Sequence, residues 1–164
     1  MLVLSVDPAG IGGHSGVALG YYSDTEPYTL VAYEHVDNLV HGMVGWLKHN
    51  VKVTPRRVVF TPTGEQIDDV IVENFVDFGI RGADWSPLKV IGAVEGYLHP
   101  HVPILRTPGQ RRSVSDEGMK ALGAYVAGGH HRDVTESARH AVAWLIGQGH
   151  KPTIDKGWPN VEHF

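Results

Sequence analysis

Two acidic side chains stand at the ends of apolar segments, where an unpaired carboxylate is unfavourable. Asp7 follows the residues LVLSV, and Glu73 follows VIV. A desolvated, unpaired carboxylate costs several kcal/mol, and a divalent cation is one way to offset that cost. The alternative is that each acid lies at a strand end in water or pairs with an arginine. The two positions therefore favour a metal site and leave that alternative open.

A second acidic pair, Asp133 and Glu136, stands at the start of a predicted helix. A spacing of three places both side chains on one helix face. The same spacing is close to a capping box, which needs no metal, although one pair of acids can both cap and chelate. His140 lies one turn beyond Glu136 and could orient its carboxylate, or it is simply a half-buried helix residue.

Together the four acids form the set that hydrolysis of a phosphodiester by two metal ions requires. Two ions about 3.5–4 Å apart activate the attacking water and stabilise the leaving oxygen. Mg²⁺ prefers hard oxygen ligands, with water and phosphate completing its coordination. We therefore expect two Mg²⁺ ions, for which Mn²⁺ could substitute, and no separate protein nucleophile. The expected catalytic and metal-binding residues are Asp7, Glu73, Asp133 and Glu136.

The composition is that of an ordinary folded domain with a small excess of negative charge. The 164 residues are 42% hydrophobic and 20% charged, and the formal net charge is −4. The chain has no cysteine, which excludes disulfides and thiolate zinc sites. Residues 1–80 carry four Lys/Arg and ten Asp/Glu, whereas residues 81–139 carry eight and six. A local basic face could therefore still bind DNA.

The sequence gives no sign of export or of a membrane anchor. Its first residues, MLVLSVDPAG, lack the basic start of a signal peptide, and the apolar run stops at Asp7. No stretch approaches the roughly 20 apolar residues that cross a bilayer. We expect a soluble cytoplasmic protein without a membrane partner.

Hydrophobic periodicity predicts the elements that must position the acids. The opening segments alternate as an antiparallel meander, and helices then alternate with short strands. This order predicts an α/β fold with a mixed sheet over residues 1–147, followed by an extended tail over 148–164. The predicted strands are 2–7, 16–22, 29–36, 70–73 and 102–105, and the predicted helices are 38–50, 87–98, 115–125 and 133–146. Residues 51–69 give no clear assignment.

Three motifs that contain these acids resemble, in the same order, those of the RuvC-type Holliday junction resolvases. SVDPAG followed by SGVALGYY is similar to the first motif, VIVENF to the second and DVTESARHAVAWL to the last. The segment PILRTPGQRRSVSDEGMKALGAY resembles the stretch before the last motif, especially in the compact members found in bacteriophages. The resemblance covers about residues 1–147.

The resemblance implies an RNase H-like fold, in which helices flank a five-stranded mixed sheet and the acids gather at its centre. It implies a homodimer that makes paired nicks in a four-way DNA junction. Asp7 would be the central bridging carboxylate and Glu73 the second ligand, and Asp133 and Glu136 would complete the site. Family members usually have Asp where this chain has Glu136, so Glu136 either ligates metal or only caps the helix.

Other departures from the family lie in the first turn and in the basic residues. The turn PAGIGGHSG lacks the family's threonine, whose contacts His14 or Ser15 could take over. A wedge aromatic residue shortly after the glutamate could correspond to Phe75 or Phe78, although simple core packing is the favoured explanation for either residue. Four cations between the last strand and the next helix could form a phosphate track or a solvated surface. They are Arg106, Arg111, Arg112 and Lys120.

The leading hypothesis is a structure-selective endonuclease that resolves four-way junctions. The rivals are an RNase H-like nuclease for RNA–DNA hybrids or for branched DNA in general, and a non-catalytic DNA-binding module. The retained acids argue against the last, because negative charge near phosphates opposes binding. For the homodimer, the candidate interface is helix 87–98, on which Val90, Ile91, Val94 and Leu98 form one stripe, although core packing also explains that stripe.

Overall fold

The computed structural model describes residues 1–76, 82–128 and 132–159, apart from the side chains of residues 110–112. The strands, in chain order, are β1 Leu2–Asp7, β2 Ser15–Tyr21, β3 Thr29–Val36, β4 Val51–Val53, β5 Val58–Phe60, β6 Glu65–Ile67, β7 Asp69–Glu73 and β8 Ile104–Arg106. The main sheet has five strands in the order β3-β2-β1-β7-β8. β1, β2 and β3 are antiparallel, whereas β7 and β8 run parallel to β1. The predicted fold class is confirmed.

The helices cover both faces of this sheet. They are α1 Leu39–Asn50, α2 Ser86–Leu98, α3 Asp116–Leu122, α4 Arg132–Gly147 and α5 Lys151–Gly157. A 3₁₀ helix, Pro108–Ser113, joins β8 to α3. The helices that were predicted from periodicity are present, but α3 ends three residues earlier than expected, at a left-handed Gly123. In the part of the chain that the structure describes, no helix is long and apolar enough to cross a membrane.

Side chains that alternate along the central strands build two cores. Leu4, Val6 and Val72 face α1 and α2, whereas Val3 and Ile71 face α3 and α4. The face that carries Val3 and Ile71 also carries the strand ends Asp7 and Glu73, because side chains two residues apart point to the same side.

The apolar stripe of α2 is part of the core. Val90, Ile91, Val94 and Leu98 are at most 4% exposed and pack in the same cluster as Met43 and Leu47 of α1. The candidate dimer interface was therefore wrong, and core packing is the correct explanation. A helix that lies on a sheet must bury such a stripe within its own domain.

Residues 51–69 form an antiparallel three-stranded sheet, β4-β5-β6, followed by the first residue of β7. Strands of three residues are too short for alternation to reveal them in a sequence. Val51, Val58 and Ile67 are buried against the core beneath α1 and α2.

The expected extended tail was also wrong, because residues 151–157 form α5. Pro152 stands in the first turn of this helix, where a missing N–H costs nothing. Thr153 is buried, and its hydroxyl accepts a hydrogen bond of 2.9 Å from the backbone N–H of Tyr28. A Cβ on Gly118 of α3 would lie 2.2 Å from the ring of Trp158, so only glycine allows this approach. The segment thus packs back onto the domain.

The start of α4 lies directly against β2. Gly16 pairs with Asp7 across the sheet, and a Cβ on Gly16 would lie only 2.0 Å from the backbone oxygen of Asp133. The absence of a side chain at residue 16 therefore lets the first turn of α4 reach the edge of the sheet where β1 ends.

We expect Gly16→Ala to lower the free energy of unfolding by about 1–3 kcal/mol, because the new methyl group displaces α4. Gly45→Ala is the matched control, since a Cβ there meets nothing within 4 Å and the residue is inside α1. That change should stabilise the protein by up to about 1 kcal/mol. Urea unfolding of both variants measures the difference, and equal stabilities would contradict the close approach.

Candidate metal centre

Asp7 and Glu73 come from neighbouring parallel strands. Val6 pairs with Val72, so the residue that follows each lies at the same edge of the sheet. Both residues are partly buried, and the Glu73 side chain is only 12% exposed. The structure thus brings together two acids that are 66 positions apart in the sequence.

His140 of α4 completes a tight group with these acids. One ligand atom from each of Asp7, Glu73 and His140 lies within 4.8 Å of the other two. The imidazole is fully buried, and its Nε2 lies 3.2 Å from Oε2 of Glu73. His140 therefore contacts Glu73, whereas the spacing along the helix had suggested Glu136 as its partner.

This group has the composition of a divalent cation site. Two carboxylates at such close range repel each other, and a cation between them removes that repulsion. Carboxylate oxygens and imidazole nitrogen are both common ligands of divalent metals. Asp7, Glu73 and His140 therefore fit a divalent cation in both chemistry and spacing.

Asp133 and Glu136 lie in the same cleft but outside this tight group. The cleft encloses about 360 Å³ and is lined by the strand ends, the glycine-rich turn and the first turns of α4. Its acidic lining residues are Asp7, Glu73, Asp133 and Glu136. Arg132 also lines the cleft and is exposed, so a cation stands beside the acids.

Arg139 lies on the far side of Glu136 and connects it to α3. Its Nε is 3.4 Å from Oε1 of Glu136, and its Nη2 is 2.5 Å from Oδ1 of Asp116. Its Nη1 donates to the backbone oxygen of Val114. The Arg139 side chain is only 8% exposed, so this guanidinium offsets part of the charge of Glu136 from within the protein.

The glycine-rich turn between β1 and β2 forms one wall of the cleft and is held by Asp84. Oδ2 of Asp84 accepts hydrogen bonds from the backbone N–H of Ile11 at 2.6 Å and from the hydroxyl of Ser86 at 2.8 Å. Its Oδ1 accepts from the backbone N–H of Ser86 at 2.9 Å. A Cβ on Gly10 would lie 2.4 Å from Oδ2, so glycine is needed for this contact. Asp84 thus ties the turn to the start of α2.

These hydrogen bonds also affect the acidity of Asp84. The Ser86 hydroxyl, followed by the N–H groups of Ser86 and Ile11, holds the pKa of the Asp84 carboxyl below its ordinary value. Because the folded pKa is the lower one, the contact is fully formed above the ordinary pKa of aspartate. It is lost only as the pH falls through the lowered value.

Ser15 and His14 contact different partners at the other end of the turn. The Ser15 hydroxyl oxygen accepts a hydrogen bond of 3.0 Å from the backbone N–H of Ala9. Nδ1 of His14 contacts the Asp37 carboxylate. Of the two residues considered for the missing threonine, Ser15 therefore closes the turn itself, and His14 connects it to the loop before α1.

The residues expected to contact DNA have varied surroundings. Phe75 is half-buried beside Trp85, with ring centroids 5.4 Å apart, and it packs against the core. Nη2 of Arg106 lies 3.4 Å from the backbone oxygen of Ala143. Burial lowers the pKa of the Arg106 guanidinium. Lys120 is exposed, with its Nζ 4.9 Å from the centre of the Tyr125 ring. DNA contact by these residues stays a prediction. Phe78 and the side chains of Arg111 and Arg112 lie outside the described residues.

Known structures share this architecture. The Thermus thermophilus RuvC structure in complex with a Holliday junction substrate is similar, with a TM-score of 0.59 and 14% sequence identity over 92% of this chain and 97% of that chain. A second Thermus thermophilus RuvC structure gives a TM-score of 0.57 and 15% identity over 91% and 97% of the two chains. The chain has a RuvC-like fold. No family model and no curated protein matches the sequence.

Within this RuvC-like fold, Asp84 was not identified from the sequence, and His140 was considered only as a possible partner of Glu136. His140 follows Glu136 by four positions on the same helix, and this spacing was the available signal for its position. Asp84 stands two residues before Ser86, where a carboxylate can accept from the first N–H groups of a helix.

We expect Asp84→Ala to loosen the glycine-rich turn, because it removes the acceptor that holds the Ile11 N–H. Hydrogen exchange at the amides of residues 9–15 should accelerate about tenfold. In the wild type this protection should persist from neutral pH down to about pH 4. Asp24→Ala, at an exposed aspartate of the turn between β2 and β3, is the control and should leave exchange unchanged. Equal exchange in both variants would show that Asp84 does not hold the turn.

Proposed function

We propose that this protein is a metal-dependent endodeoxyribonuclease that resolves four-way DNA junctions by paired nicking. The observation that carries the proposal is the convergence of Asp7 and Glu73, from the two central parallel strands, with the α4 acids in one cleft. The RuvC-like fold adds to it, since one solved structure of that fold holds a Holliday junction substrate.

The chemistry of the cleft is suited to phosphodiester hydrolysis. When bound, divalent ions such as Mg²⁺ or Mn²⁺ supply Lewis acidity and acidify water. Asp7 and Glu73 would hold the first ion, and Asp133 and Glu136 would complete the site for the second. The exposed Arg132 attracts a phosphate to the same cleft, which offsets the repulsion between the DNA and the acids.

The overall charge allows such a substrate if metal is present. The formal charge of −4 would be zero without the four acids assigned to metal binding. Arg132 lines the cleft, and Lys89 and Lys120 are exposed cations on α2 and α3. Binding to DNA should therefore depend strongly on both metal and salt.

Paired nicking requires two active sites at one junction, and we propose that a homodimer supplies them. Each copy would cut one of two symmetry-related strands. A nuclease that acts on RNA–DNA hybrids or on other branched DNA would use the same acids and differ in dimer geometry. A non-catalytic DNA-binding module is the remaining alternative, and the four acids disfavour it.

The direct test uses a labelled four-way junction, the matching linear duplex and an RNA–DNA hybrid, each with Mg²⁺, Mn²⁺ or EDTA. We expect symmetric nicks in the junction alone, abolished by EDTA and lowered about 10³-fold or more by Asp7→Asn. Asp24→Asn is the control for the charge change. Cleavage of the hybrid or the duplex instead would reassign the substrate, and no cleavage with either metal would refute the proposal.

The α4 acids deserve separate variants, because Glu136 also contacts Arg139. If Glu136 completes the metal site, Glu136→Gln and Asp133→Asn should each lower junction cleavage by about a hundredfold, with little loss of thermal stability. Glu117→Gln, at an exposed acid of α3, provides the matched control. Normal cleavage by Glu136→Gln together with a lower melting temperature would restrict Glu136 to its contact with Arg139.

A further inference from the structure

His14 brings an imidazole to the cleft that holds the four acids. It belongs to the glycine-rich turn and lines this cleft opposite the strand ends and α4. Its Nδ1 contacts Oδ1 of Asp37, which lies between β3 and α1. A carboxylate at Nδ1 keeps the proton on that nitrogen, so the proton that this ring gains or loses is the one on Nε2. The ring of His35 on β3 stands edge-on to it, with the ring centroids 6.3 Å apart.

The loop that carries Asp37 is held in an unfavourable backbone conformation. Asn38 and Leu39 follow Asp37 and both have positive φ, at 61° and 49°, although neither is glycine. A Cβ on Gly42 would lie 1.6 Å from the backbone oxygen of Asp37, so the loop also depends on a glycine. Backbone strain of this kind is concentrated at functional sites. The side chains of His14 and Asp37 are 52% and 64% exposed, and so exposed a pair adds little to stability.

A cleft that hydrolyses a phosphodiester also needs a proton donor, because the leaving oxygen ends the reaction as a hydroxyl. Among the cleft-lining residues that the structure describes, the four acids are assigned to metal binding, and the guanidinium of Arg132 does not release a proton. An imidazole exchanges protons near neutral pH and is the most frequent general acid in enzymes. We propose that His14 is the general acid that protonates the leaving oxygen, and that Asp37 positions its ring.

The proposed step moves one proton from the protein to the product. Water attacks phosphorus and forms a new P–O bond, while the bond between phosphorus and the leaving oxygen breaks. His14 gives its Nε2 proton to the leaving oxygen, which becomes a hydroxyl. The attacking water releases one proton to solvent, and His14 regains one from solvent before the next cycle. The inference rests on the proposed function, since it assigns a role within that same cleavage reaction.

The first experiment replaces the leaving oxygen by sulfur. The ends of the nicked strands identify this oxygen, and a four-way junction is then synthesised with sulfur at that bridging position. A thiolate leaves without being protonated, so the sulfur junction needs no general acid. In single turnovers with Mn²⁺, His14→Ala should cleave the oxygen junction about 100-fold more slowly than the wild type, but the sulfur junction less than about threefold more slowly.

Two further variants separate chemistry from structure. His41→Ala, at an exposed histidine of α1, is the matched control and should cleave both junctions at the wild-type rate. Asp37→Asn keeps a hydrogen-bond acceptor but loses the charge, and it should slow only the oxygen junction, by about tenfold. Calorimetric titration should give the wild-type affinity for Mn²⁺ in every variant, because neither His14 nor Asp37 belongs to the tight group of metal ligands. A purely structural role of His14 would slow both junctions equally.

Chemical rescue provides a second measurement on the same variant. His14→Ala should keep its fold, because Ser15 closes the glycine-rich turn and Asp84 ties it to α2. Free imidazole can then enter the space left by the ring and donate the missing proton. It should accelerate cleavage of the oxygen junction by His14→Ala about tenfold or more, and leave the rate of His41→Ala unchanged.

These outcomes separate the inference from the proposed function. Equal losses of rate on the two junctions, no loss on either, or a loss of Mn²⁺ affinity that matches the loss of rate would overturn the role of His14 and leave the nuclease intact. A wild-type protein that binds Mn²⁺ but cleaves no nucleic acid would refute the nuclease and the inference with it.

Discussion

The parallel pairing of β1 with β7 fixes the distance between two like charges. Val6 lies opposite Val72, and this register leaves Asp7 and Glu73 side by side where the strands end. At about 4 Å, two such charges repel by about 1 kcal/mol in bulk water and about 4 kcal/mol near a protein surface. The position of α4, which presents a buried imidazole to the same point, is suited to a shared cation. The repulsion between Asp7 and Glu73 thus makes this end of the sheet suited to binding a cation.

Much of the architecture could be predicted because local pattern and long-range structure agree. β1 and β7 are apolar runs that end in an acid, and parallel neighbours bring such ends together at one edge. The stripes of α1 and α2 and the acids in the first turns of α4 could also be identified from spacing. A mixed sheet follows from these elements, the resemblance implied five strands, and the structure confirms both.

The features that escaped prediction depend on contacts between distant segments. Residues 51–67 form strands of only three residues, whose stability comes from pairing with one another rather than from local pattern. α5 is held where Thr153 accepts a hydrogen bond from Tyr28, just before β3, and where Trp158, just after α5, approaches Gly118 of α3. The contact between His140 and Glu73 could not be predicted from the helix alone, because it depends on the position of β7 beside α4. The role of Asp84 likewise requires the glycine-rich turn, 73 positions away, to approach α2.

The contact between β1 and α4 has a consequence for biosynthesis. The Ser137 hydroxyl donates to the backbone oxygen of Ser5 at 2.7 Å, across a separation of 132 positions. Asp7 and Glu73 are made before α4, so α4 closes their cleft only after it has itself left the ribosome. Contacts over such long separations are slow to form, because loop closure must precede them. A chain that has not yet formed α4 therefore lacks the assembled group of Asp7, Glu73 and His140, and any activity of this cleft begins only once α4 has packed on the sheet.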